Sequence, residues 1–321
     1  YSLTYTGITS LGFPFLILAT GGSNLVRADG SPRYSMVCTL AGAVINTILD
    51  PLFIFGFHMG VKGAALATIL SQAVSAIWVL RFLTGKKTIL KLQKKYFRLR
   101  GSVVGPCLLL GMSPFIMQAT ESAISVCFNS SLYRYGGDIA VGAMSILTSI
   151  MQFSMLPLQG LTQGAQPIIS FNYGAGNIER VKKAFRLLLA SSLVYSTLLW
   201  AIAMFLPHVF IAIFTSSAEL SAYVTWSIRI YMAASLLFGI QIACQQTFIA
   251  LGNALTSVFL ALLRKVILLI PLIFILPALL PDKVFGVFLA EPVADTIAVT
   301  VTGILFLREY KRLSHKKVGM D

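Results

Sequence analysis

The sequence predicts an all-α, polytopic membrane protein, a bundle of nine transmembrane helices, on three observations. Hydrophobic residues make up 57% of the chain and charged residues 11%, against about 25% charged in a typical soluble domain; the mean hydropathy is +0.83. The apolar residues gather into nine runs, at about 3–26, 35–57, 61–83, 104–131, 139–169, 184–207, 222–250, 255–280 and 284–307, of the length that crosses a hydrocarbon core of roughly 30 Å. The cations between the runs alternate strictly from turn to turn, as the positive-inside rule requires of a multi-pass chain.

Taken in order, Arg27 and Arg33 flank the first turn, and seven Lys and Arg residues between Lys86 and Arg100 crowd the third. Arg180, Lys182, Lys183 and Arg186 follow the fifth run, Arg264 and Lys265 lie just beyond the turn after the seventh, and five cations between Arg308 and Lys317 form the tail. The even turns carry little. This places the odd turns and the C-terminus in the cytoplasm, and the +14 net charge becomes mainly an orientation signal with some contact to anionic lipid, rather than a nucleic-acid footprint. The fifth and seventh runs exceed the span they need, so they are expected to tilt, kink or project. The chain opens on Tyr1 with no signal-peptide pattern, and an incomplete N-terminus is expected.

Between the third and fourth runs, GKKTILKLQKKYFRLRG places Ile89, Leu92, Tyr96 and Leu99 at helical spacing among cations, an amphipathic helix for the inner membrane face. The chain also repeats itself. At an offset of 222, SNLVRADGSP aligns with QQTFIALGNA, pairing Asn24 with Gln246 and Gly30 with Gly252; past the next span an offset of 223 pairs Gly63 with Gly286 and Gln72 with Asp295. The first three helices are thus copied by the last three, and in repeats of this type substrate and ion sites lie near the midplane.

Four polar groups stand out inside the apolar runs. Asn46 and Asp50 lie four apart, on one helix face, with Pro51 directly after the carboxylate, and Thr68 returns to similar depth on the next, antiparallel helix. A carboxylate at the centre of a span costs about 2.5–3.5 kcal/mol on insertion scales, which makes it a functional candidate. Acid, amide and hydroxyl together offer the oxygen ligands of a small cation, sodium at Asp50 included, or a carboxylate that carries a proton. The alternative is that Asp50 snorkels to water while Asn46 ties helices together. Gln118 and Glu121 share a face of the fourth run, beside Met112 and Met117, and suit a cationic substrate or a proton. Glu291 and Asp295, with Pro292 between them, form a secondary acidic pair whose members do not both ionise easily in a low dielectric. The fifth run mixes Pro157, Gly160, Gly164 and Pro167 with Gln159 and Gln163; with Gln246, these glutamines are cavity candidates, because interrupted helices line cavities or form hinges.

Other chemistries find little support. The four cysteines, Cys38, Cys107, Cys127 and Cys244, lie in apolar runs without metal-ligand spacing, no HExxH or GxSxG occurs, and YGAGN lacks the rest of a phosphate loop. No cofactor, metal centre, catalytic set or nucleic-acid partner is expected.

RADGSPRYSM, INTILDPLFIFG, MGVKGAALATILSQ, QGAQPIISFNYGAGN, FIALGNA and FLAEPVADTIA together resemble the multidrug and toxic compound extrusion (MATE) family of cation-coupled antiporters, in its bacterial branch. The resemblance implies twelve helices in two pseudo-symmetric lobes, of which this chain holds helices four to twelve. Residues 1–84 would be the C-terminal half of the N-lobe, 85–103 a basic cytoplasmic linker, 104–307 the C-lobe and 308–321 a basic cytoplasmic tail. It implies a cation-coupling site at Asn46, Asp50 and Thr68, with Glu121 matching a C-lobe glutamate of some members. The implied function is export of organic, often cationic amphipathic compounds across the cytoplasmic (inner) membrane, driven by protons or sodium, by a monomer among membrane lipids. The alternative is a lipid-linked saccharide flippase of related architecture, whose cavity would need cations for pyrophosphate; in the spans Arg229 is the main one expected.

Overall fold

A computed structural model describes residues 2–85, 88–90, 100–215 and 217–315, which are helical with short turns and contain no strand. The helices are α1 (Ser2–Ser10), α2 (Phe13–Ala28), α3 (Pro32–Pro51), α4 (Gly60–Leu83), α5 (Gly101–Gly174), α6 (Ile178–Phe205), α7 (Pro207–Phe214), α8 (Ala218–Tyr231), α9 (Phe238–Ala250), α10 (Ala254–Leu262), α11 (Ile270–Leu279) and α12 (Lys283–His315). Contacts divide the chain into two compact units, Tyr1–Leu99 and Arg100–Asp321.

Among the described residues, six helices are long and apolar enough to cross a membrane, and the bent pair Ala218–Tyr231 and Ser235–Ala250 makes a seventh. The chain is therefore a multi-pass membrane protein. Several expected runs differ in detail. The first is broken at Leu11–Gly12, and the seventh bends by 48° after Tyr231. The fourth and fifth are not separated by a loop: helix continues from Gly101 to Gly174, interrupted only at Gly137, whose φ of 67° and ψ of −162° no helix accommodates. At 1.5 Å per residue the whole would extend over about 110 Å, so Gly137 divides two limbs, each long enough to span. The last helix runs on to His315, so residue 307 is not its end. The amphipathic helix expected over 85–101 falls mostly outside the described residues; residues 88–90 are not helical, and Ile89 and Leu90 there donate backbone N–H bonds of 2.9 and 2.8 Å to buried Asp29.

The sequence repeat has a structural counterpart in hydrogen bonds. After α2, Gly30 N–H donates to Arg27 O and Ser31 N–H to Val26 O; after α9, Gly252 N–H donates to Ile249 O and Asn253 N–H to Phe248 O. Both turns close with glycine in the left-handed region, at φ of 87° and 77°, the geometry that satisfies a helix's last carbonyls and favours glycine over residues with a Cβ. The α1–α2 break and the break after α8 correspond too, with Leu11 N–H donating to Ile8 O and Ala233 N–H to Ile230 O. A Cβ on Gly63 would lie 2.8 Å from Phe53 O, and one on Gly286 would lie 3.0 Å from the carbonyl carbon of Leu276, so each hairpin packs backbone on backbone at the same register.

In the first unit α4 is the central helix. Gly22 of α2 abuts Val79, Gly42 of α3 abuts Ser75, and Val26, Cys38, Val79, Phe82 and Leu83 form its apolar core. The second unit holds two hydrophobic clusters. One gathers Ile124, Phe128, Tyr231, Leu269 and Phe288; the other gathers Ile169, Phe185, Phe248, Leu260 and Phe306. On α12 the first cluster reaches Ala294 and the second is entered at Phe306; between α10 and α11 the step falls between Leu260 and Leu269. Arg264, Lys265 and Asp295 of the second unit fall between these two levels along the chain.

Candidate functional site

In the first unit, Asn46 and Asp50 face the same way on α3, and Asn46 Nδ2 donates to Asp50 Oδ1 at 3.4 Å. Both are half-buried, and among the described residues no basic side chain lies within ion-pair distance of Asp50. The local backbone follows from Pro51, which has no N–H to return to Thr47. Directly beyond it the helix widens into a π turn over Leu52–Gly56, closed by Phe57 N–H to Leu52 O at 3.0 Å; such turns recur at functional sites. The contacts of Gly42 with Ser75 and Gly63 with Phe53 set the antiparallel register, placing Asn46 level with residues near Thr68. The Thr68 hydroxyl itself donates to Ala64 O at 3.0 Å and makes no bond to Asp50. Its neighbours Ile69 and Gln72 touch the α1–α2 break, where a Cβ on Gly12 would come within 3.0 Å of Gln72 Oε1.

The second unit holds a different arrangement. Arg264 Nε donates to Asp295 Oδ1 at 2.5 Å and its Nη2 lies 3.5 Å from Glu291 Oε1, with the guanidinium 5.7 Å from the centre of the Phe238 ring. Lys265 Nζ lies 2.8 Å from Glu121 Oε1. Arg264 and Lys265 occupy a π turn, Leu263–Leu269, about 15 Å along a span that begins at Ala254. The expectation that they mark the cytoplasmic turn after the seventh run is therefore corrected: both lie within a span, Lys265 buried and Arg264 partly buried. Sequence reading missed this because two adjacent cations after a short turn look like an orientation signal; their pairing with acids on α5 and α12 depends on contacts far apart in sequence. The charge alternation loses one member, and the turn Leu251–Asn253 that should have carried it has no cation. Arg229 is likewise not the main cation of the spans.

Around this ionic group, Gln241 Nε2 donates to Gln245 Oε1 at 3.4 Å, Gln245 Nε2 reaches Met117 Sδ at 3.2 Å, and Ser257 and Ser113 hydroxyls bond at 2.7 Å. Gln241 and Gln245 are almost fully buried, whereas Gln246 is half-buried and Gln118, Glu121, Gln159 and Gln163 lie on exposed faces of α5. The structure thus joins Asn46 to Asp50, Glu291 and Asp295 to Arg264, and Glu121 to Lys265. Of the glutamines, the two that α9 turns inward are not among the four expected to line a cavity, Gln118, Gln159, Gln163 and Gln246.

The repeat relates the two arrangements. An offset of 223 sets Glu291 opposite Thr68 and Asp295 opposite Gln72, and an offset of 222 sets Arg264 opposite Gly42. Where the second unit fills the helix interface with an ion pair, the first fills it with glycine against Ser75, whose hydroxyl donates to Cys38 O at 3.2 Å. The carboxylate at Asp50 then stands without a salt bridge among the described residues.

Comparison with known proteins agrees with this architecture. The family profile MatE matches residues 114–275, just over half of the chain. The multidrug export proteins MepA of Staphylococcus haemolyticus and Staphylococcus saprophyticus are 26% and 27% identical over 303 and 307 residues. These matches cover 94% and 95% of this chain but 66% and 67% of the relatives, so the chain spans about two thirds of their length. The solved structure of the MATE multidrug transporter DinF-BH, a ligand complex, superposes with a TM-score of 0.86 at 34% identity, covering 96% of this chain and 69% of that one. An outward-facing MATE family transporter of the MOP superfamily has the same fold, with a TM-score of 0.89 at 20% identity and 97% of this chain covered. The chain belongs to the MatE family, the multidrug and toxic compound extrusion transporters.

Proposed function

We propose that the protein is a cation-coupled antiporter that exports organic, often cationic amphipathic compounds across the cytoplasmic membrane by alternating access, with its C-terminus in the cytoplasm and Asp50 as the coupling carboxylate. The carrying observation is the Asn46–Asp50 pair: a half-buried carboxylate, bonded to one amide, without a cationic partner among the described residues and next to a widened helical turn. Such a group gains most from an arriving proton or sodium ion, because no resident cation already compensates it. Asn46 holds one oxygen, and Thr68 supplies a further ligand if its hydroxyl turns from Ala64 O. Entry of the cation would reshape α3 at its π turn and lower affinity for the exported compound. One charge crossing 100 mV is worth roughly 2.3 kcal/mol, enough to shift such an equilibrium about fiftyfold.

The relatives named for multidrug export support this reading, as does the description of DinF-BH as a multidrug transporter. The lipid-linked saccharide flippase is not favoured: the cations at Arg264 and Lys265 are taken up by three carboxylates and are not free for pyrophosphate. The test is ethidium efflux from energised vesicles containing the protein, under an imposed pH gradient and separately under a sodium gradient. Acceleration by either is expected and identifies the ion. No response to either, from folded and inserted protein, would overturn the proposal.

A further inference from the structure

The ionic group of the second unit is out of balance by one charge. Three carboxylates, Glu121, Glu291 and Asp295, face two cations, Arg264 and Lys265. The imbalance has a location. Asp295 is 2% exposed, yet its Oδ2 has no hydrogen-bond partner, while its other oxygen is bonded to Arg264. Lys265 and Glu121 differ sharply in access: the lysine side chain is 8% exposed and the glutamate 52%. Glu121 thus offers its carboxylate to whatever enters from outside, while its resident partner is anchored within the protein. Lys265 directly follows Arg264, whose guanidinium pairs with both Glu291 and Asp295.

We propose that Lys265 is an internal competitor for the exported compound: an organic monocation binds Glu121 by displacing the lysine ammonium, which turns inward to Glu291 and the unpartnered oxygen of Asp295. The proposal rests on the export of cationic compounds inferred above and identifies the residue that sets their affinity and charge selectivity. The charge count supports it, since one added monocation brings three positive charges against three negative ones. A compound with an anion in place of the cation would meet Glu121 and worsen the imbalance. Met117, held by Gln245 on the same helix as Glu121, supplies adaptable apolar surface one turn away for the hydrophobic body of the ligand.

The test is equilibrium binding to the purified protein in detergent, with no gradient, using tetraphenylphosphonium and the similarly shaped anion tetraphenylborate. In Lys265→Met the competitor is gone, and tetraphenylphosphonium is expected to bind about tenfold more tightly, the equivalent of one charged hydrogen bond no longer broken; tetraphenylborate should gain nothing. Lys265→Arg keeps the charge and should stay near the parent affinity, which controls for repacking. Glu121→Gln should weaken tetraphenylphosphonium binding by about tenfold or more. Parental or weaker binding of the cation in Lys265→Met would overturn the proposal, as would unchanged binding in Glu121→Gln or no binding of the cation by any variant. Because no gradient is applied, failure of ion coupling and failure of this inference give separate results: a protein that shows the Lys265→Met gain but no gradient-driven efflux contradicts only the antiport reading.

Discussion

The two units carry related helical hairpins and opposite electrostatic solutions. In the first, α3 and α4 meet through Gly42 and Ser75, and the acid of the hairpin, Asp50, is bonded among the described residues only to Asn46. In the second, the corresponding interface is filled by Arg264 against Glu291 and Asp295, with Lys265 on Glu121. Each hairpin has a π turn, but in the first it follows the carboxylate and in the second it carries the cations. The difference teaches where an ion has something to gain. A carboxylate already bonded to a partly buried guanidinium must give up that bond to take a new cation, whereas Asp50 gives up one long amide hydrogen bond. The same backbone plan can therefore hold a compensated structural centre and an uncompensated, responsive one.

The largest effect should come from breaking the compensation. Arg264→Met leaves Glu291 and Asp295 buried without their cation and should cost about 3–5 kcal/mol in stability, read from denaturant unfolding in detergent. Arg264→Gln combined with Glu291→Gln and Asp295→Asn removes all three charges together and should recover most of that loss. If the single variant were as stable as the parent, the second unit would not be held by its ion pairs and the contrast would fail.

The next effect lies in the first unit. A Cβ on Gly42 would lie 2.0 Å from Ser75 Oγ and 3.3 Å from Ser71 O. Gly42→Ala should therefore cost about 1–3 kcal/mol by overpacking, measured in the same unfolding experiment. Part of this cost is the Ser75 bond to Cys38 O, so Gly42→Ala combined with Ser75→Ala should be less damaging.

How far these features can be read from sequence divides along the same line. The apolar, membrane-spanning character and the repeat are visible, because membrane length and glycine turns are local signals: Gly30 and Gly252 close the same turn that their alignment pairs. Asn46 and Asp50 could be placed together because four residues is one helical turn. The helix breaks at Gly12 and after Tyr231 were not visible in continuous apolar runs, and only the close approach of Gly12 to Ile69 and Gln72 explains the first. The ionic centre was misread most. Glu121, Lys265 and Asp295 come from three separate helices, so nothing in spacing joins them, and a cation pair beside a turn carries the same pattern whether it faces cytoplasm or core. The alternation of charge from turn to turn held around that pair, which is why it misled.

Two smaller effects sharpen the view of Asp50. Asn46→Ala removes the one amide on the carboxylate and should weaken the response to the driving ion about two- to tenfold, read as the gradient needed for half-maximal efflux. Thr68→Val should alter stability by no more than about 0.5–1 kcal/mol, since its hydroxyl only back-bonds to Ala64 O within α4. A sodium-dependent loss of efflux in that variant, with stability kept, would show that the hydroxyl leaves Ala64 to ligate the ion.

The most direct measurement sets the two centres against each other in one assay. Ethidium efflux is followed in energised vesicles, with and without the driving gradient, for the parent, for Asp50→Asn, and for the charge-balanced triple variant Arg264→Gln, Glu291→Gln and Asp295→Asn, each shown to be inserted and folded. Gradient-driven acceleration should vanish in Asp50→Asn and persist in the triple variant. Acceleration that survives in Asp50→Asn and vanishes in the triple variant would contradict the assignment and move coupling to the salt-bridged centre of the second unit.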